Sequence, residues 1–351
     1  MEEISQALLS IIKMISNRRN NTFPILRLPF LAIEEIFKAM DPIEIINFSK
    51  TSKKAKTVTK AMVFHSKYVI CVYIEKTLGI SIKGTNNRVS CVYEMTSDKR
   101  MDGKTEKDKR NRFITRKVFK YSKDPVEEWK QLCEHVLEIF KKQSIDRLTM
   151  TMDAFVDHNV SIIDFLRTNV KSVDKCNLWH SEDENDVDEH AAYFLNNLKI
   201  SNELYFYLKI KNYNFDGEIP KNLKELYLPN SHWIGYEKLL DIDCRHVVLT
   251  NNRIWEEEWN LFLKKWIAME THLNLEYLEL DYRQLDIFRS HVLHDIPHEV
   301  VHEGVKRILK TRFNLTLEIN GGIDIRRIDG KTATFFVYRM FRMNRFAMNV
   351  H

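Results

Sequence analysis

No CxxC pair occurs anywhere in the 351 residues, and the five cysteines (Cys71, Cys91, Cys133, Cys176, Cys244) are odd in number and scattered. That excludes a disulfide framework and a thiolate zinc site, and it places the chain in a reducing compartment, cytoplasmic or nuclear. Glycine is scarce, with nine residues and no glycine-rich phosphate loop. The one GG pair, Gly321-Gly322, precedes a strand-like segment and reads as a hairpin or bulge. No nucleophile elbow is present either. Charge of one sign is missing too: Lys plus Arg (54) against Asp plus Glu (49) leaves only +5, too little to indicate a nucleic-acid or membrane-surface partner. Long apolar runs are absent, the longest being the seven residues of YVICVYI, where a bilayer helix needs about 20. No cofactor, nucleic acid or membrane is expected, and the balanced surface favours a protein partner.

Apolar periodicity, by contrast, is plentiful. In MEEISQALLSIIKMISNRR the residues Ile4, Leu8, Ile11, Ile12 and Ile15 recur at helical spacing, so residues 1–21 are expected to form an amphipathic helix and not a secretory leader. Residues 22–64 pack three short helices. Phe30, Ile33, Phe37 and Met40 line one face of a helix that begins near Pro29. Asp41, Pro42 and Glu44 form a capping box ahead of a second helix with Ile45, Ile46 and Phe48. A third helix, from about Thr51, puts Ala55, Val58 and Met62 on one side and Lys53, Lys54, Lys56 and Lys60 in water. Leu26, Leu28, Leu31, Ile36 and Ile43 exceed what one inward face needs. They pack either on the rest of the chain or on another polypeptide.

The stretch LRLPFLAIEEIFKAMDPIEIINFSKTSKK resembles an F-box in its Leu-Pro pair, its Ile33/Ile36/Phe37 stripe, its acidic-Pro break at Asp41-Pro42 and its ending at Phe48, Ser49 and Lys50. The resemblance implies docking onto the Skp-type adaptor of a cullin-RING ubiquitin ligase. Carried over position by position, Leu28, Pro29, Ile33, Ile36, Phe37, Pro42 and Ile45 are the implied contacts. The third helix departs from the family pattern, having KKAKTVTK where many F-boxes carry an aromatic and arginines.

Beyond the third helix, YVICVYIE (68–75), RVSCVYEM (88–95) and RFITRKVFKY (112–121) read as strands of a small antiparallel set spanning 65–123, with the charged stretch 96–112 as a loop. DPVEEWKQLCEHVLEIFKKQ reads as a capped helix with Trp129, Leu132, Val136, Ile139 and Phe140 on one face. One pattern then recurs: IDRLTM, VDKCNL, SNELYF, LKELYL, CRHVVL and LEYLEL carry an apolar residue at their fourth and sixth positions, with starts 28, 28, 22, 21 and 31 residues apart. This spacing brackets that of leucine-rich repeats, and the stretches between copies are long enough to return the chain in parallel. Residues 124–351 are therefore expected to form a curved, leucine-rich-repeat-like α/β array. Its segment from about 198 to 280, including LKELYLPNSHWIGYEKLLDIDCRHVVLTNN, is similar to the F-box-associated domain, type 2, of the large nematode F-box family. INGGIDIRRIDGKTATFFVY looks like that family's closing strands, and the likeness implies recruitment of a protein substrate.

The rival chemistry is HEVVH, His298 to His302, which matches the HExxH zinc-peptidase pattern and would place two histidines one turn apart on a helix with Glu299 as base. Pro297 puts the pair in a first helical turn, so the expected reading is ordinary helix surface. EDENDVDEH (182–190) lacks the glycine and spacing of a calcium loop and reads as a solvated turn. The expected protein is α/β, a non-enzymatic substrate receptor of a Skp-cullin-F-box ligase. A repeat scaffold without ligase role and a zinc hydrolase remain as alternatives. Trp179, Tyr205, Tyr207, Trp233 and Trp255 are candidate partner anchors or core residues.

Overall fold

The computed structural model describes residues 25–63, 68–84, 89–110, 113–182, 185–311, 315–340 and 343–351. The amphipathic helix expected over 1–21 lies outside them. The chain divides into two compact units, one made of residues up to Leu148 with Thr168–Lys171, the other of Thr149–Arg167 and Ser172–His351.

The first unit opens with α1 (Phe30–Ala39), α2 (Pro42–Ser49) and α3 (Lys53–Met62). The capping box forms as expected: the Asp41 carboxylate accepts from Glu44 N at 2.9 Å and Glu44 Oε2 accepts from Asp41 N at 3.0 Å. Ser52 caps α3 by accepting from Ala55 N. Next come β1 (Tyr68–Ile74), β2 (Leu78–Gly84), β3 (Val89–Thr96), β4 (Thr105–Arg110) and β5 (Phe113–Tyr121), in spatial order β1-β2-β3-β5-β4. Then α4 (Pro125–Ile139) packs against β2, β3, α2 and α3, with Trp129, Val136 and Ile139 fully buried.

Three features of this unit differ from the sequence reading. The stretch 96–112 is not all loop, because Thr105–Arg110 (TEKDKR) pairs antiparallel with β5. The ladder needs only backbone groups, and a charged edge strand is a usual way to discourage further pairing. The set is not wholly antiparallel, since β3 runs parallel to β5 with β4 as the return. And β2, LGISIKG, is an added strand in which Leu78, Ile80 and Ile82 share one face while Gly79 and Ser81, also buried, lie on the other, residue types that rarely signal a strand.

The second unit is built on β7 (Ser172–Trp179), β8 (Ile200–Phe206), β9 (Leu223–Leu228), β10 (Cys244–Leu249) and β11 (Tyr277–Leu280). Each neighbouring pair is parallel. Ahead of them run β6 (Ser144–Thr151), whose last residues belong to this unit, and α5 (Asn159–Asn169). Between the strands lie α6 (Asp188–Asn197), α7 (Tyr236–Asp241) and α8 (Glu256–Ile267). The fourth and sixth positions of the recurring pattern, such as Cys176/Leu178, Leu226/Leu228 and Val247/Leu249, are all buried.

The parallel run does not continue to the end of the chain. After α9 (Leu285–His291), strands β12 (His298–Lys310), β13 (Thr316–Arg326), β14 (Thr332–Met340) and β15 (Met343–Val350) form an antiparallel meander that joins β11 through β15. The fold is thus mixed α/β with N-terminal helices and a large C-terminal sheet. The array expected over 124–351 is narrower than that, because α4 lies in the first unit and residues 298–350 are meander. The meander encloses a core of Tyr277, Leu309, Ile319, Phe336, Tyr338 and Ala347. Beside it Glu279, 3% exposed, accepts hydrogen bonds from Tyr277 Oη at 2.9 Å and Tyr338 Oη at 2.8 Å.

Candidate functional site

Helix α1 is positioned from within. Its stripe Ile33, Ile36 and Phe37 is buried, with Phe37 edge-on to Phe48 at 5.6 Å. Helix α2 is bound to its own unit by Asp41, which pairs with Arg116, and by Ser49 Oγ, which donates to Ile46 O and lies 2.8 Å from His135 Nε2. Lys56 and Lys60 of α3 reach Glu138 of α4. Burial, reinforced by Lys50 and Lys56, lowers the His135 imidazole to about 4, so the ring meets Ser49 uncharged at neutral pH.

This packing sorts the seven residues proposed from sequence as partner contacts. Ile33, Ile36, Phe37, Pro42 and Ile45 are buried in the chain itself, Leu28 is half-buried and Pro29 is exposed. What projects is the start of α1, where Phe30 is 62% and Leu31 is 72% exposed. Spacing from Ile33 places Phe30 on the inward stripe, whereas the structure turns it to solvent. Leu31 belonged to the surplus apolar set, which was the signal available for it. Helix α1 therefore offers an apolar ridge of Pro29, Phe30 and Leu31 whose inner side is fixed by the fold.

The candidate anchors of the second unit also separate. Trp233 is buried against Phe215 at 4.7 Å and is core. Trp179 is 40% exposed and stacks on Tyr207 at 3.7 Å, and Tyr207 in turn lies 5.3 Å from Tyr227. Register places Asn177, Tyr205 and Tyr227 on one face of β7–β9. Trp255, at 74%, is the most exposed of these aromatics.

The zinc-peptidase reading fails on secondary structure. HEVVH is the start of strand β12 and not helix surface, so four residues span about 13 Å where a helix would bring the histidines within one turn. His298 Nδ1 lies 2.8 Å from Ile296 O, and His302 Nδ1 accepts from Gly304 N. Among the described residues no group of three His, Cys, Asp or Glu side chains could hold a metal ion. The acidic stretch at 182–190 is more than a solvated turn: Asp188 is buried and its carboxylate accepts from Lys211 N and Asn212 N. Residues 183 and 184 lie outside the described part.

Comparison with known proteins gives two matched regions. The F-box domain profile matches residues 25–67, and the profile described as F-box associated matches residues 214–280. The Skn-1 dependent zygotic transcript 15 protein of Caenorhabditis elegans is 22% identical over 293 residues, which cover 76% of this chain and 81% of that protein. The E3 ubiquitin-protein ligase hecw-1 of the same organism is 30% identical over 91 residues, 26% of this chain and 7% of that protein. No solved structure matches. The ridge on α1 thus lies in the region matched as an F-box domain, and β9, β10 and α8 lie in the region matched as F-box associated.

Proposed function

We propose that the protein is the substrate receptor of a Skp-cullin-F-box ubiquitin ligase, with no catalytic residue of its own. The observation that carries the reading is the exposed ridge of Pro29, Phe30 and Leu31 in the matched F-box domain. A Skp-type adaptor covers that ridge together with Leu28, while Ile33, Ile36, Phe37, Pro42 and Ile45 hold it in place from behind. The second unit receives a protein substrate on its leucine-rich-repeat-like run of parallel strands, and isopeptide chemistry belongs to the enzymes the cullin recruits, to which this chain contributes proximity. All five cysteines are free thiols, which supports a cytoplasmic or nuclear setting.

Burying each ridge side chain contributes about 1.5–3 kcal/mol. Phe30→Ala with Leu31→Ala should therefore weaken adaptor binding by roughly a hundredfold or more, measured by calorimetry on the co-expressed, separated components. Both side chains face solvent, so the double variant keeps its thermal midpoint. Unchanged affinity in that folded variant would overturn the assignment.

A further inference from the structure

The carboxyl ends of β10 and β11 lead into the loops before α8 and α9, and between these loops lies a cavity of about 600 Å³. At β11 the pairing changes, parallel to β10 on one side and antiparallel to β15 on the other. Loops at the carboxyl ends of parallel strands are where α/β folds commonly build binding sites. The walls carry Trp255, 74% exposed, Tyr282, 49%, and Ile287, 46%. Large aromatic side chains held in solvent beside a cavity mark a surface that a partner desolvates.

Charge gives the sign of that partner. Glu256 and Glu257 line the cavity, and the one cationic lining residue is Arg283. The neighbouring Glu258 is engaged in accepting from Trp255 N. Glu256 lies 3.7 Å from His291 Nδ1 and beside Arg283, so Glu257 is the lining carboxylate set beside Trp255 and Tyr282, and aromatic rings with a carboxylate favour a cation. The same edge already contains this geometry, since the Arg253 guanidinium lies 3.7 Å from the Tyr213 ring centroid. A planar guanidinium can stack on a ring and pair with a carboxylate at once, which an ammonium cannot do as well.

We propose that this cavity binds an arginine side chain of a protein substrate, its guanidinium stacked on Trp255 and paired with Glu257. The inference rests on the reading that the second unit receives the substrate. Its test uses the full chain carrying 5-fluorotryptophan at its six tryptophans, with the Trp255 fluorine resonance assigned as the one lost in Trp255→Phe. The probes are blocked glycyl-arginyl-glycine amide and its citrulline counterpart, which keeps the shape and lacks the charge.

Cation–π attraction and an exposed ion pair together correspond to about a tenfold preference for the arginine probe. The Trp255 resonance should shift saturably with arginine and about tenfold more weakly with citrulline, and in Glu257→Gln the preference should fall to the roughly threefold that cation–π attraction alone supplies. Equal shifts with both probes, or none, would overturn the proposal. Adaptor binding is measured on the same preparation, so a silent resonance with intact adaptor binding removes only the arginine site, and the converse removes only the ligase reading.

Discussion

Phe30 and Ile33 are three residues apart and would share a helical face, yet one is exposed and the other is not. The difference is position in the element: Phe30 is the first residue of α1, just after Pro29, and Ile33 stands one turn further in. Periodicity identifies a stripe but not how far the covering helix extends, so the inner residues were legible and the ridge was not. His272 is a second residue whose role depends on burial. It is 7% exposed, packs edge-on to Phe262 at 4.9 Å and has no hydrogen-bond partner at Nε2. Burial, only partly opposed by Asp243, lowers its imidazole from 6.5 to about 4. The unfolded chain takes up a proton near pH 6.5 that the folded one refuses until about 4. Stability is therefore complete above pH 6.5 and falls as pH drops toward 4, by up to about 3 kcal/mol from this residue. In His272→Asn, which keeps a residue tolerant of the positive φ of 51° here, the thermal midpoint should decline less steeply between pH 7 and 4.5. Parallel slopes for parent and variant would remove His272 as the cause.

Elements were legible where one face is apolar and the other is not. The pattern with apolar fourth and sixth positions located β6 through β11, because the alternate positions of β7–β9 stay polar or half-exposed. It missed β2, where Leu78, Ile80 and Ile82 share one face but the intervening Gly79, Ser81 and Lys83 are weak strand formers, and β4, which is apolar on neither face. It also misled at β12, where HEVVH has histidines at a spacing meaningful only on a helix. That strand is irregular: its register with β13 shifts between Val301 and Lys306, and Gly321 and Gly322 stand opposite the shift at φ of 69° and 124°. The GG pair is thus the bulge partner and not a hairpin. A Cβ on Gly321 would lie 2.7 Å from Val301 O. Gly330, in the turn before β14, also has positive φ but open space around it. Gly330→Ala should cost only the backbone strain, about 1–3 kcal/mol, whereas Gly321→Ala adds a backbone clash and should lower the denaturant midpoint further. A smaller loss at Gly321 than at Gly330 would mean that the strands separate there without cost.

At the scale of the chain, most of the surplus apolar residues of the F-box pack on the chain itself. Ile36 and Ile43 are buried and Leu26 and Leu28 half-buried, α2 packs on β2 and α4, and Tyr93 Oη donates to Ile43 O at 3.4 Å. Leu31 alone of that set remains strongly exposed. The F-box helices are therefore part of the core of the first unit, and not a detachable module ahead of it. Sequence could not reveal this, because α4 and the β2–β3 pair show apolar faces without naming what fills them. A fragment beginning at residue 65 would leave Tyr93, β2 and the α2-facing side of α4 without cover. Hydrogen exchange on that fragment should show protection lost across β1–β3 and α4, while β7–β11 exchange as slowly as in the full chain. Full protection of both units in the fragment would mean that the N-terminal helices only rest on the unit, and their buried isoleucines would then have to be explained by something other than folding.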